Sequence, residues 1–127
     1  MGENIVSIWI PVVFPSRNES EGAARSNKYA GASLKKRFTR MAELCIRERM
    51  PSGCKTMDRY SVSILWVCKD DKTDPDNVLG GIKYVMDGLV AAGLVAGDRW
   101  KNVVKIENRF VVRESNPGVH VYVMLET

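Results

Sequence analysis

RYSVSILWVCKDDKTDPDNVLGGIKYVMDGLVAAG, residues 59 to 93, changes its hydrophobic period once, and that change decides the kind of fold. Over residues 59 to 69 apolar side chains alternate, so Val62, Ile64, Trp66 and Cys68 share one face of a strand. The run DDKTDPDN is too polar and turn-prone to continue it. From residue 77 to 92 the spacing becomes helical, with Val78, Leu79, Ile82, Val85, Met86, Leu89 and Val90 on one side. Gly93 is a suitable C-terminal stop and Gly97 marks a turn. A strand feeding an amphipathic helix through an acidic turn is the unit around which the rest is read.

Upstream, residues 4 to 13, NIVSIWIPVV, are rich in β-branched and aromatic side chains and read as a strand closed by Pro11 or Pro15. FPSRNESEGAARSNK reads as a polar loop. From Tyr29 to Met50, Leu34, Phe38, Met41, Cys45 and Ile46 recur at helical steps, and Lys35, Lys36, Arg37, Arg40, Arg47 and Arg49 occupy the other face. Pro51, Ser52 and Gly53 end that helix. Downstream, residues 103 to 112 and 118 to 126 are strands joined through Asn116, Pro117 and Gly118. The last alternates Val119, Val121, Val123 and Leu125 with His120, Tyr122 and Met124. The expected order is β-α-β-α-β-β: an α/β fold with a single mixed sheet carrying two helices, in one domain spanning residues 1 to 127.

Composition narrows the function classes. At 127 residues the chain can bury a core without disulfides or a structural metal, and 45% hydrophobic content excludes wholesale disorder. No apolar run reaches the ~18 residues of a membrane span, and MGENIVSIWI lacks the order of a signal peptide, so a cytoplasmic protein is expected. Cys45, Cys54 and Cys68 have no metal-ligand spacing and are expected to be reduced, buried thiols. His120, the single histidine, lies in an apolar alternation, which gives no support to nucleophilic triads.

The net charge of +4 conceals a sorting of charge along the chain. Residues 16 to 55 carry ten Lys or Arg against four Glu, whereas Asp58, Asp70, Asp71, Asp74, Asp76, Asp87 and Asp98 account for every aspartate. Asp74 as N-cap with Pro75 at the first helical position is a purely structural explanation for one of them. It leaves Asp70, Asp71 and Asp76 crowding the same turn, where like charges are costly without a cation. At ~100° per residue, Asp76, Gly80, Lys83 and Asp87 fall on one stripe, with Gly80 leaving open space. A surface Lys83–Asp87 pair on a solvated helix face is the bland reading of that stripe. With Asp98 arriving from the next loop, the carboxylates suit Mg²⁺ or Mn²⁺, which take a few carboxylates and keep positions for water and phosphate. Neither an EF-hand nor a G-x-x-x-x-G-K-[ST] loop is present.

The segment DKTDPDNVLGGIKYVMDGLVAAGLVAGD, residues 71 to 98, resembles the signature of RusA-like Holliday junction resolvases, especially those of phages and prophages. The shared pattern is a D-x-D-N turn, a lysine and an aspartate four residues apart on the following helix, D-G-L-V-x-A-G, and an aspartate ending the loop. Pro15-Ser16-Arg17-Asn18 is also similar to the family's P-S-x-N turn. The resemblance implies that Asp74, Asp76, Lys83 and Asp98 are catalytic, that Asp74, Asp76 and Asp98 bind Mg²⁺ (Mn²⁺ substituting), and that Asn77 and Asp87 support them. It further implies a homodimer cutting four-way junctions or related branched DNA in paired fashion inside a bacterial cell, with no small-molecule cofactor. Gly97 stands where many members have a second aspartate, and the Asn77-to-Lys83 gap is longer than in the shorter bacterial forms. A non-catalytic branched-DNA binding module with a degraded metal site is therefore the alternative.

Lys35, Lys36, Arg37 and Arg40 are the candidate phosphate contacts, joined by Arg17 and Asn18 of the first turn and by Arg99 and Lys101 beside Asp98. For any one of these residues a solvated surface position is the simpler explanation. Trp100 is open to two readings, a stacking platform for an unpaired base or a partly buried anchor.

Overall fold

The computed structural model describes residues 4–127. Its elements are β1 (Ile5–Ile10), α1 (Arg17–Ser26), α2 (Lys28–Arg49), β2 (Tyr60–Cys68), α3 (Pro75–Val78), a 3-10 turn (Leu79–Gly81), α4 (Ile82–Ala91), β3 (Val103–Val112) and β4 (Gly118–Leu125). The four strands form one open mixed sheet in the order β1-β4-β2-β3. β4 is antiparallel to both β1 and β2, and β2 runs parallel to β3. Among the described residues no helix is long and apolar enough to cross a membrane.

The period-two alternation read from the strands builds the core directly. Val62, Val123 and Val6 pair across three strands; Ile64, Val121 and Ile8 form the next row, and Trp66, Val119 and Ile10 the third. All nine are buried. The helical layer closes over these rows with Ala42 and Ile46 of α2 and with Tyr84, Val85, Met86 and Leu89 of α4. Gly88 lets the two helices approach, since a Cβ there would sit 2.7 Å from that of Ala42. Cys45, Cys54 and Cys68 are unpaired and half-buried.

Two expectations need correction. Residues 17–26, read as a polar loop, form α1, which makes three helices of ten residues or more where two were expected. A capping box starts α1: the Glu19 N–H donates to Ser16 Oγ at 3.2 Å and the Ser16 N–H to Glu19 Oε1 at 3.0 Å. Asn27 ends α1 and begins α2, its Oδ1 accepting from the Ala30 N–H at 2.7 Å. α1 buries no residue fully, so no apolar stripe announced it.

The second correction concerns residues 77 to 92, which are broken by the 3-10 turn rather than forming one helix. Gly80, read as open space, is where the chain entering α1 is seated: a Cβ at Gly80 would collide with the backbone of Ser16 and Arg17. At Gly81 a Cβ would lie 2.8 Å from Phe14 Cβ and 3.0 Å from the Trp66 ring. Ser20 Oγ and Tyr84 Oη lie 2.6 Å apart and tie α1 to α4. Tyr84 also stacks on Phe14, with ring centroids 5.9 Å apart.

Gly80→Ala is expected to lower unfolding stability by about 1–3 kcal/mol, because backbone, not a flexible side chain, stands in the way. Gly22→Ala in α1, with nothing within 4 Å of the new methyl, should instead raise stability by about 0.5–1 kcal/mol. Urea denaturation of the two variants checks both signs.

Candidate functional site

Asp74 and Asp76 stand where β2's exit loop turns into α3. Asp74 holds the N-cap position through its backbone, its carbonyl accepting from the Asn77 and Val78 N–H groups at 2.9 and 3.0 Å. Its carboxylate makes no capping hydrogen bond and, like that of Asp76, is exposed. Asn77 is half-buried behind them. Asp70 has a local task, its Oδ1 accepting from the Lys72 N–H at 3.0 Å. Lys83 is exposed on α4 and Asp87 half-buried one turn further on. Asp74, Asp76, Lys83 and Asp87 enter no ion pair among the described residues, so the Lys83–Asp87 surface pair does not form.

Asp87 faces α2 across an open groove lined by Lys35, Lys36, Arg37, Arg40 and Glu43. The expected basic surface thus lies beside α4, the helix that follows the acidic turn and the 3-10 turn in the chain. Its residues are not equivalent. Arg40 contacts Glu43 at 3.0 Å and Arg47 contacts it at 2.8 Å, and these guanidiniums, Arg47 foremost, hold the Glu43 carboxyl below its ordinary range. Lys35, Lys36 and Arg37 stay exposed, with the Arg37 guanidinium 4.7 Å from the Phe38 ring centroid. Arg17 and Asn18 are exposed in the first turn of α1, which is docked on Gly80.

Asp98 is elsewhere. Val103, five residues after it, pairs with Tyr60 at the start of β2, whereas Asp74 follows the end of that strand. The eight steps between nine strand residues, at about 3.3 Å each, put roughly 26 Å of sheet between the two ends. Tyr60 Oη donates to the Gly97 carbonyl at 2.9 Å. Burial, then the Asp98 carboxylate, push that phenol up to about 12. Arg99, Trp100 and Lys101 share this far end; Trp100 is 99% exposed, which removes the anchor reading.

Asn102, which sequence reasoning passed over, organises the far loop. Only 2% exposed, it donates from Nδ2 to the Asp58 carbonyl at 2.7 Å and accepts the Arg99 N–H on Oδ1 at 3.3 Å. Asp58 therefore has a structural role. A Cβ on Gly97 would lie 2.7 Å from Asn102 Oδ1, so the carboxamide occupies the space a side chain at 97 would need. An N-x-x-N-like turn signature is absent, and a polar residue just before a strand was the only cue. His120 is likewise structural: its Nε2 lies 2.9 Å from Ser7 Oγ and its ring stacks on Tyr122 at 4.4 Å.

The fit of a divalent cation follows. Two unengaged carboxylates, Asp74 and Asp76, share one end of the sheet, but the expected third, Asp98, is at the other. Among the described residues no three Asp, Glu, His or Cys side chains are grouped closely enough to hold an ion. Asp74, Asp76 and Asp98 are thus not brought together within one chain. No protein-family model matches the chain, and no curated protein matches it.

If the groove holds a phosphate backbone, affinity for a four-way junction must fall with salt, with a log-log slope of about −0.9 per phosphate neutralised. The triple variant Lys35→Gln, Lys36→Gln, Arg37→Gln is expected to shallow that slope by roughly 2 to 3. Arg40→Gln, removing a cation already held by Glu43, should change it by less than about 1. Fluorescence anisotropy between low and moderate salt measures both, and a flat wild-type plot rejects the groove as a phosphate surface.

Proposed function

We propose that the protein is a Mg²⁺-dependent endonuclease of the RusA-like resolvase type, selective for branched DNA and working as a homodimer. The observation that carries this reading is the unengaged Asp74–Asp76 turn opening the segment whose helix α4 lines the basic groove of α2 through Asp87, with α4 seated on α2 at Gly88. Lys35, Lys36 and Arg37 hold the phosphate backbone without reading bases, which suits recognition by shape. Lys83, exposed on α4 between Asp76 and Asp87 in the chain, meets negative charge on the same strand. Asp98 belongs to the same site only if a second copy brings it there, and the homodimer provides that copy.

One observation favours the non-catalytic alternative. With Asp98 at the far end of the sheet, a single chain is equipped to bind branched DNA but not to assemble the three-carboxylate site.

Complementation separates the two. Asp76→Asn and Asp98→Asn should each bind a synthetic four-way junction normally and fail to cut it with Mg²⁺. Co-expressed and mixed, the two variants should recover nicking of one strand at about a quarter of the wild-type site activity, since half the dimers then carry one intact site of two. Recovery absent from the mixture overturns the shared site. Wild-type protein that binds the junction but leaves it whole in Mg²⁺ and in Mn²⁺ establishes the binding module instead.

A further inference from the structure

The loop that leads into β3 is tightly braced and ends in a bare indole. Arg99–Asn102 is a β-turn, closed by the Asn102 N–H donating to the Arg99 carbonyl at 2.9 Å, with Trp100 and Lys101 as its central pair. The same carbonyl accepts from the Val103 N–H at 3.0 Å, and the buried Asn102 side chain ties the turn to Asp58 and to the Arg99 N–H. Upstream, the Ala96 N–H donates to the Met57 carbonyl at 2.8 Å and the Gly97 carbonyl accepts from Tyr60 Oη. Despite this bracing Trp100 itself is 99% exposed. Among the described residues no aromatic ring and no cation covers either of its faces, whereas the exposed Tyr29 has Lys28 Nζ 5.5 Å from its ring centroid. An indole that packs on nothing in the chain, held out on a rigid turn between Arg99 and Lys101, is open to a ligand with a flat π face and a negative charge on either side.

We infer that this turn is a base-stacking wedge: Trp100 stacks on a base left unpaired at the branch point of the DNA, and Arg99 and Lys101 hold the phosphates on either side of it. Every base has a π face, so stacking on an indole requires no particular sequence, and cations beside the ring track the backbone. A turn already fixed by its hydrogen bonds loses little freedom on binding. A membrane surface or a protein partner suits the turn less well, because either would bury apolar surface around the indole together with it. Leu94 and Val95 are buried, and the exposed neighbours are Ala96, Asp98, Arg99 and Lys101. The inference rests on the branched-DNA reading for the source of the unpaired base. Trp100 is two residues from Asp98, so a second copy that brings Asp98 to the acidic turn brings the wedge with it.

The test uses the full chain without metal, titrated with a short thymidine oligonucleotide and with an abasic strand of the same length. Trp9 is half-buried and Trp66 buried, so quenching of the solvent-exposed indole emission by the oligonucleotide reports on Trp100. Trp100→Ala should raise the dissociation constant, read by fluorescence anisotropy, at least about fivefold, and Trp100→Phe, which keeps a ring, should stay within about threefold of wild type. Thermal unfolding of both variants should match wild type, since the side chain packs on nothing. Lys101→Gln should shallow the log-log salt slope by about 0.7. The abasic strand should bind the wild type and Trp100→Ala equally. Oligonucleotide binding that is indifferent to Trp100→Ala overturns the wedge, and so does an abasic strand that binds wild type as tightly as the thymidine strand, or an emission that responds to anionic lipid vesicles and not to the oligonucleotide. If a four-way junction is still cut in Mg²⁺ when the wedge fails in this way, the nuclease reading survives it; wild-type protein that binds neither strand nor junction overturns both.

Discussion

β2 and β3 run parallel, and parallel neighbours can be joined only by a connection that travels back along the whole sheet. Here that connection is α3, the 3-10 turn and α4. Its entry loop, with Asp74 and Asp76, must lie at the end where β2 finishes, and its exit loop, with Asp98, where β3 begins. Much else about the candidate site follows from this. One carboxylate pair opens the connection whose α4 faces α2's cations through Asp87, and the remaining aspartate stands beside Arg99, Trp100 and Lys101, the length of a strand away.

Glycine decides how the helices meet above that sheet. Gly80 admits the backbone of Ser16 and Arg17, Gly81 admits Phe14 and Trp66, and Gly88 admits Ala42. Each contact lies on the connection between β2 and β3, so the α1–α2 hairpin is registered on the segment that carries the acidic turn. A Cβ at Gly80 would push α1 away from α3 and, with it, Arg17 and Asn18 from Asp76. What reads along the sequence as a stripe of charge interrupted by a small residue is, in space, a docking point with charge on either side.

The strands were legible because burial on one face imposes period two, and β2, β3 and β4 follow the expected ranges closely. α2 was legible through its apolar stripe. α1 was not, since its polar composition gives periodicity nothing to detect; S-x-x-E at Ser16–Glu19 was the available signal. Asp74 was correctly placed at a helix start, but that its carboxylate is left unengaged is a matter of side-chain geometry. The separation of Asp98 from Asp76 could not be read from a local motif, because whether β2 and β3 are parallel depends on contacts between residues more than forty positions apart. Asn102 escaped for a related reason: its partners are Asp58 and Gly97, one distant in sequence and one without a side chain.

The same topology sets what the proposed homodimer must do. A parallel β2–β3 pair leaves β3 pointing its unpaired backbone outward along its whole length, with the acidic turn at one end and Asp98 at the other. The loop through Asp70, Asp71 and Pro75 packs beside Phe110, Val111 and Val112, at the finishing end of β3. For the proposed shared site to form, a second copy would have to bring its Asp98 loop to the Asp74–Asp76 end, and a two-fold axis would do so twice at once. The parallel crossover thus divides the carboxylates within a chain, and only an arrangement between chains, such as the proposed homodimer, could reunite them.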